Sequence, residues 1–136
     1  MMAGDTDENC NRNGASSGLG KEFVRRIAAQ EQLDEIWVAA RRDEALRQLS
    51  ALTGIPVVSF PRDLTKHRER LKLKEALEEK RPEVRWLIGA AGIGKMGTYE
   101  QVREEDCREM IRLNCEASVE IAQMALEYMT AGANIL

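Results

Sequence analysis

The run Asn13-Gly14-Ala15-Ser16-Ser17-Gly18-Leu19-Gly20 carries the plainest chemistry in this 136-residue chain. Glycine has no Cβ, so Gly14, Gly18 and Gly20 tolerate positive φ and let a ligand approach the main chain. A helical pattern follows at once. A helix opening there aims unpaired N–H groups and its positive dipole end at an anion. Gly14, Ser16, Ser17, Gly18, Leu19 and Gly20 therefore form a candidate pyrophosphate-binding turn. The other reactive residue types assemble no rival site. Cys10, Cys107 and Cys115 are odd in number and lack Cys-x-x-Cys spacing, which argues against a disulfide framework and a structural metal. His67, the sole histidine, stands in the charged run 66–70 and reads as a solvated surface group.

The elements needed to hold such a turn alternate as in an α/β protein. A helix is expected over 19–30, where Leu19, Phe23 and Ile27 recur every four residues and Val24 and Ala28 widen the stripe. A strand over 35–40 is built on Ile36, Trp37 and Val38. A helix over 43–52 turns Leu46, Leu49 and Leu52 to one side, and Gly54 stops it. A strand follows over 57–60. The spacing then predicts a highly charged helix over 66–80, with a narrow stripe of Leu73, Ala76 and Leu77 and its charges on a solvated face. Pro82 ends it. A strand over 84–88 runs into Gly89-Ala90-Ala91-Gly92.

One long helix is expected over 104–129. Met110, Leu113, Ala117, Ile121 and Met124 form one apolar stripe; Ile111, Ala122, Ala125 and Met129 form a second. So wide an apolar arc implies burial on two sides, one against the sheet and one against further chain or a partner subunit. Residues 133–136 look like the opening of another strand.

Composition bounds the function. The chain is 43% hydrophobic and 32% charged, ordinary values for a globular protein. A net charge of −3 argues against general nucleic-acid binding and a basic membrane-surface role. No apolar run is long enough to cross a bilayer. The acidic start lacks the apolar stretch of a secretory signal, so a cytoplasmic location is expected.

Taken in order, these pieces resemble the short-chain dehydrogenase/reductase family over residues 13–136, the first half of a typical member. The family turn reads Thr-Gly-x-x-x-Gly-x-Gly, and Asn13 here replaces the threonine. The resemblance implies an incomplete Rossmann-type, doubly wound parallel sheet with flanking helices. It makes residues 14–136 a partial NADP(H)-binding domain and residues 1–13 a polar segment without stable structure.

It also assigns roles. NAD-binding relatives place an acid at the end of the strand that here ends in Ala39-Ala40-Arg41-Arg42. Ala40 takes that place, and Arg41 and Arg42 are expected to grip a 2′-phosphate, although two solvated arginines at a helix start would read the same. Asp63, followed by Leu64, matches the family acid that bonds the adenine amino group, and can equally be a turn aspartate. Gly89, Ala90, Ala91 and Gly92 resemble the family's Asn-Asn-Ala-Gly, where small residues admit the cofactor ribose; Gly89 replaces the first asparagine. Asn114 matches the helix asparagine that holds a water in the proton relay, and can alternatively be a satisfied core amide.

Two departures limit the expected activity. The family moves its proton with a Tyr-x-x-x-Lys pair and a serine. Tyr99 and Tyr128 are followed four residues on by Arg103 and Gly132, so neither qualifies. Residues 4–13 contain no Val, Ile, Leu or Phe where a buried strand should lead into the glycine turn. The expectation is a truncated reductase lineage acting on carbonyls or secondary alcohols, inactive alone. The alternative is a non-catalytic nucleotide-binding or self-associating module, joined through the 104–129 helix. A methyltransferase-type loop fits less well, because that chemistry wants an acid at the Ala40 position.

Overall fold

The computed structural model describes residues 18–39, 43–60 and 63–136. The four-residue apolar spacing after the glycine run winds into α1, Gly18–Gln30, which buries Val24 and Ile27. The β-branched and aromatic runs that follow form β1, Ile36–Ala39, and β2, Val57–Phe60. These pair in parallel, with Ile36 opposite Val57 and Ala39 opposite Phe60. The crossover helix α2, Asp43–Thr53, ends as the sequence predicts: Gly54 adopts φ 69° and donates its N–H to the Ser50 carbonyl at 2.9 Å. Val24, Ile36, Val38 and Leu49 close a small core beneath it. Leu52, expected on that face, is 45% exposed, because the helix turns its last leucine past the edge of this core.

α3, His67–Lys80, leads to β3, Val84–Leu87. β3 pairs in parallel with β4, Met129–Ile135, from Val84 opposite Met129 to Leu87 opposite Ile135, with a register shift between Val84 and Trp86. Among the described residues the strands form two separate two-stranded sheets, β1–β2 and β3–β4. A larger core spans both. Ala39 of β1 and Leu87 of β3 share it with Leu73 and Leu77 of α3 and with Ile121 and Ala125. These parallel strands and flanking helices are the α/β architecture the sequence implies.

The region 104–129 departs from one unbroken helix. It divides into α4, Glu104–Ile111; a π-helical segment, Arg112–Ala117; and α5, Ser118–Leu126. The chain leaves α5 through a turn in which Tyr128 donates to the Ala125 carbonyl. The Tyr128 carbonyl then accepts Val84 N–H at 2.8 Å, starting the ladder. Met129 therefore lies in a strand, and that strand begins four residues before the expected 133. The buried line is Leu113, Ala117, Ile121 and Ala125, which merges the two expected stripes; Ile111 is 62% exposed. The added residue per turn of a π segment rotates one half of the stripe relative to the other.

The face of α3 read as wholly solvated is not. Arg70 is 0% exposed and is the chain's buried charge among the described residues. It falls on the same stripe as Leu73 and Leu77, three and seven residues earlier.

Candidate functional site

The carboxyl ends of β1, β2 and β3 deliver Ala39, Leu64 and Ala91 to one apolar cluster, with Ile93 and Leu113 beside them. In open parallel sheets, ligands bind in the crevice at those ends. Those predicted residues that lie within the described part of the chain can be located relative to this crevice. Gly18, Leu19 and Gly20 form the first turn of α1, whose leading N–H groups have no partner within the helix, and Gly20 is buried. Gly14, Ser16 and Ser17, and also Arg41 and Arg42, lie outside the described residues.

Asp63 and Leu64 sit in the turn after β2. Asp63 Oδ1 accepts the Thr65 N–H at 3.2 Å and the Thr65 hydroxyl at 2.5 Å, while Oδ2 faces Lys66 Nζ at 3.0 Å. Partial burial favours the neutral acid, but the bonds from Thr65 and Lys66 outweigh it and hold the Asp63 carboxyl below its ordinary range. Leu64 is buried, and its carbonyl accepts Arg70 Nη1 at 2.7 Å. The same guanidinium reaches Glu120 at 2.6 Å and also bonds Glu116. Arg70 thus ties the Asp63–Leu64 turn to the helix that carries Asn114.

The Gly89–Gly92 loop follows β3. Gly89 donates its N–H to the Leu136 carbonyl at 2.7 Å, a main-chain bond that continues the β3–β4 pairing. Ala90, Ala91 and Gly92 are half-buried. A Cβ at Gly92 would stand 3.4 Å from Asn114 Oδ1, which shows how closely loop and helix approach. Leu64, Gly89 and Ala91 border a cavity of about 190 Å³, together with Leu113 and Ala117.

Asn114 lies within the π segment. Its Oδ1 accepts the Ile93 N–H at 2.9 Å and its Nδ2 donates to the Ile93 carbonyl at 2.8 Å. An amide in an apolar helix needs partners, and here the loop backbone supplies them. One turn earlier, Met110 Sδ accepts the Lys95 N–H at 3.4 Å, a second stitch between helix and loop. The structure therefore brings Asp63–Leu64, Gly89–Gly92 and Asn114 into one neighbourhood. It adds two residues that motif reading missed, Ile93 and Arg70. Ile93 acts through backbone and left no side-chain signal; the place of Arg70 on the Leu73–Leu77 stripe was the available clue.

Small residues at these strand ends leave side-chain space beside the loop. Gly89 and Gly94 have space where a Cβ would point: Gly89 meets only the Leu136 carbonyl at 3.5 Å and Gly94 meets nothing within 4 Å. No described helix is long and apolar enough to cross a membrane. No group of His, Cys, Asp and Glu among the described residues could hold a metal ion.

Known proteins agree with this arrangement. The chain resembles a short-chain dehydrogenase from Sphingobium yanoikuyae solved in complex with NADPH, at 28% identity and a TM-score of 0.67, over 84% of this chain and 45% of that one. It resembles the angucycline C-6 ketoreductase LanV, solved with bound NADP, at 25% identity and a TM-score of 0.75, over 90% of this chain and 51% of that one. A bulky-bulky ketone specific alcohol dehydrogenase from Comamonas testosteroni matches at 25% identity and a TM-score of 0.68, over 82% and 45% of the two chains. The chain thus spans about half the length of these structures. No curated protein sequence matches it. The sequence profile of the short chain dehydrogenases matches residues 13–135, from the glycine run to the end of β4, and on that extent the chain belongs to the short-chain dehydrogenase family.

Proposed function

We propose that this chain is the dinucleotide-binding part of an NADP(H)-dependent oxidoreductase acting on a small carbonyl or secondary alcohol. The observation that carries the reading is the convergence of Leu64, Ala91 and the Asn114–Ile93 pair at the carboxyl ends of parallel strands. Two relatives solved with NADPH or NADP support the choice of cofactor. In this reading, residues 14–20 hold the pyrophosphate, with Gly14, Ser16, Ser17, Gly18, Leu19 and Gly20 in contact. Arg41 and Arg42 pair with the 2′-phosphate. Asp63, kept ionised by Thr65 and Lys66, accepts from the adenine amino group while Leu64 packs on the ring. Gly89, Ala90, Ala91 and Gly92 give the ribose room.

When bound, the nicotinamide supplies or takes the hydride. Asn114 has one N–H and one lone pair left after bonding Ile93, enough to hold a water near the reacting end. The 136 residues hold no Tyr-x-x-x-Lys, so this segment alone is proposed to bind cofactor without turning over substrate. Calorimetric titration separates the parts of the reading. NADPH should bind more tightly than NADH, and Arg41→Ala should weaken NADPH by roughly tenfold while sparing NADH. Equal weakening of both would remove Arg41 from the 2′-phosphate. Steady oxidation of NADPH with a panel of ketones would overturn the non-catalytic assignment.

A second role is favoured by one feature. Ile111, Val119 and Leu126 are 62%, 58% and 55% exposed and recur about two turns apart along α4 and α5. Such a stripe suits self-association or pairing with a longer relative. Light scattering of the wild type and of Val119→Glu reads it: the substitution should reduce the mass, and a monomeric wild type would dismiss the role.

A further inference from the structure

The structure assigns Arg70 the role of a positioning residue for the nucleotide base. Through one peptide unit it fixes the Asp63 carboxylate, so that the turn after β2 selects a 6-amino purine over a 6-oxo purine. This role rests on the proposed dinucleotide reading, in which that turn receives the base.

Arg70 is fully buried on the stripe it shares with Leu73 and Leu77. A leucine would pack there without stranding a charge, and exchanging a buried ion pair for apolar groups is often neutral or favourable. A leucine supplies no directional donor, however, and the guanidinium supplies several. Nε and Nη2 grip the two oxygens of Glu120 at 2.6 and 3.1 Å, and Nη2 also bonds Glu116. Nη1 is aimed outside the helices, at the Leu64 carbonyl 2.7 Å away.

The next link is covalent. The Leu64 carbonyl and the Thr65 N–H belong to one planar peptide unit and point to opposite sides of it. Arg70 holds the carbonyl side. Asp63 Oδ1 holds the other, accepting the Thr65 N–H at 3.2 Å and the Thr65 hydroxyl at 2.5 Å. A plane held at both ends resists rotation, and the carboxylate bonded to it is fixed in turn. With Oδ1 committed to Thr65, Oδ2 is left to meet a ligand. Among the described residues Oδ2 meets Lys66 Nζ at 3.0 Å, on a side chain 55% exposed and able to swing into water.

An ionised carboxylate accepts hydrogen bonds and donates none. Oδ2 therefore suits the exocyclic amino group of adenine and repels the carbonyl oxygen of hypoxanthine. Reaching the N1–H of hypoxanthine would require the carboxylate to move. Once Leu64 is released, the peptide can turn, Thr65 N–H leaves Oδ1, and the carboxylate can follow either base.

Calorimetric titration with NADPH and with its hypoxanthine analogue reads the role. The wild type should favour NADPH by roughly tenfold, the effect of one hydrogen bond to a charged group. Arg70→Met should bring the ratio near one. A residue that only stabilised the fold would weaken both nucleotides alike and keep the ratio. Where the methionine variant folds poorly, Glu116→Gln with Glu120→Gln loosens the guanidinium from side chains that are 47% and 27% exposed. That pair should lower the ratio about threefold. The Thr65 amide gives an arm without nucleotide. Its hydrogen exchange, followed by NMR, should quicken roughly tenfold in a folded variant relative to the amides of β3. A wild-type ratio near one, a ratio unchanged in a folded variant, or an unchanged Thr65 amide overturns the role of Arg70. A wild type that binds neither nucleotide overturns the dinucleotide reading and base selection with it, while the amide still decides whether Arg70 holds the turn.

Discussion

Arg70 of α3 and Glu120 of α5 stand fifty residues apart in sequence, and their side chains meet at 2.6 Å between Nε and Oε2. The guanidinium is fully buried, whereas the Glu120 side chain remains 27% exposed. The pair fastens α3 to the first turn of α5, and the bond from Arg70 to the Leu64 carbonyl extends that fastening to the proposed adenine turn.

Arg70→Met should destabilise the chain by about 1–3 kcal/mol. The lost bond leaves the Leu64 carbonyl without its donor, while Glu116 and Glu120 can turn toward water. Thermal melting followed by circular dichroism measures this. A loss within about 0.5 kcal/mol, the usual range for a surface change, would show that the buried guanidinium contributes little.

Acid should loosen the same fastening. The Arg70 hydrogen bond, helped by His67, holds the Glu120 carboxyl below its ordinary value against the opposing effect of burial. A folded-state value below the unfolded one adds stability above the unfolded value, and that stability is lost as pH falls through the folded one. Melting temperature should therefore begin to fall below about pH 4.3, the ordinary glutamate value. Asp63 adds a loss of the same sign. Arg70→Met should flatten the Glu120 part of the decline; an unchanged slope would contradict the linkage.

Asn114→Leu should cost about 2–3 kcal/mol, because it strips both the N–H and the carbonyl of buried Ile93 of their partners. Asn114→Asp keeps the acceptor for the Ile93 N–H and sets a carboxylate against the carbonyl, so it should recover stability as pH is lowered. Denaturant titration at two pH values distinguishes the variants. A leucine variant as stable as the wild type would remove the role of Asn114 in pinning the loop.

Arg81 ends α3 at φ 46°, and its N–H donates to the Leu77 carbonyl at 2.8 Å. A left-handed conformation costs a side chain with a Cβ roughly 1–2 kcal/mol. Glycine escapes that cost but loses more chain entropy on folding. Arg81→Gly should thus stabilise the chain by about 0.5–1 kcal/mol, read as a higher melting temperature. A lower one would mean that the arginine side chain compensates elsewhere.

Much of the fold was legible locally. The spans of β1, β2 and β3 and the helix after the glycines follow from apolar period, β-branching and stop signals such as Gly54 and Pro82. These depend on neighbours within a few residues. The proposed site was legible as residue types at fixed spacing, including Asp63, Gly89–Gly92 and Asn114. What Asn114 bonds was not, because Ile93 offers only backbone and no pattern marks it.

The sequence by itself determined the alternation of helices and strands and the family of the chain, and it named the residues proposed to meet a dinucleotide. Tertiary structure alone decided that Arg70 is buried, that the 104–129 region breaks into α4, a π segment, α5 and the start of β4, that Leu52 stays exposed, and that the described strands pair as β1–β2 and β3–β4. The division has a physical cause. Periodicity is fixed by backbone geometry within one element, whereas burial, pairing and register depend on partners brought together from tens of residues away.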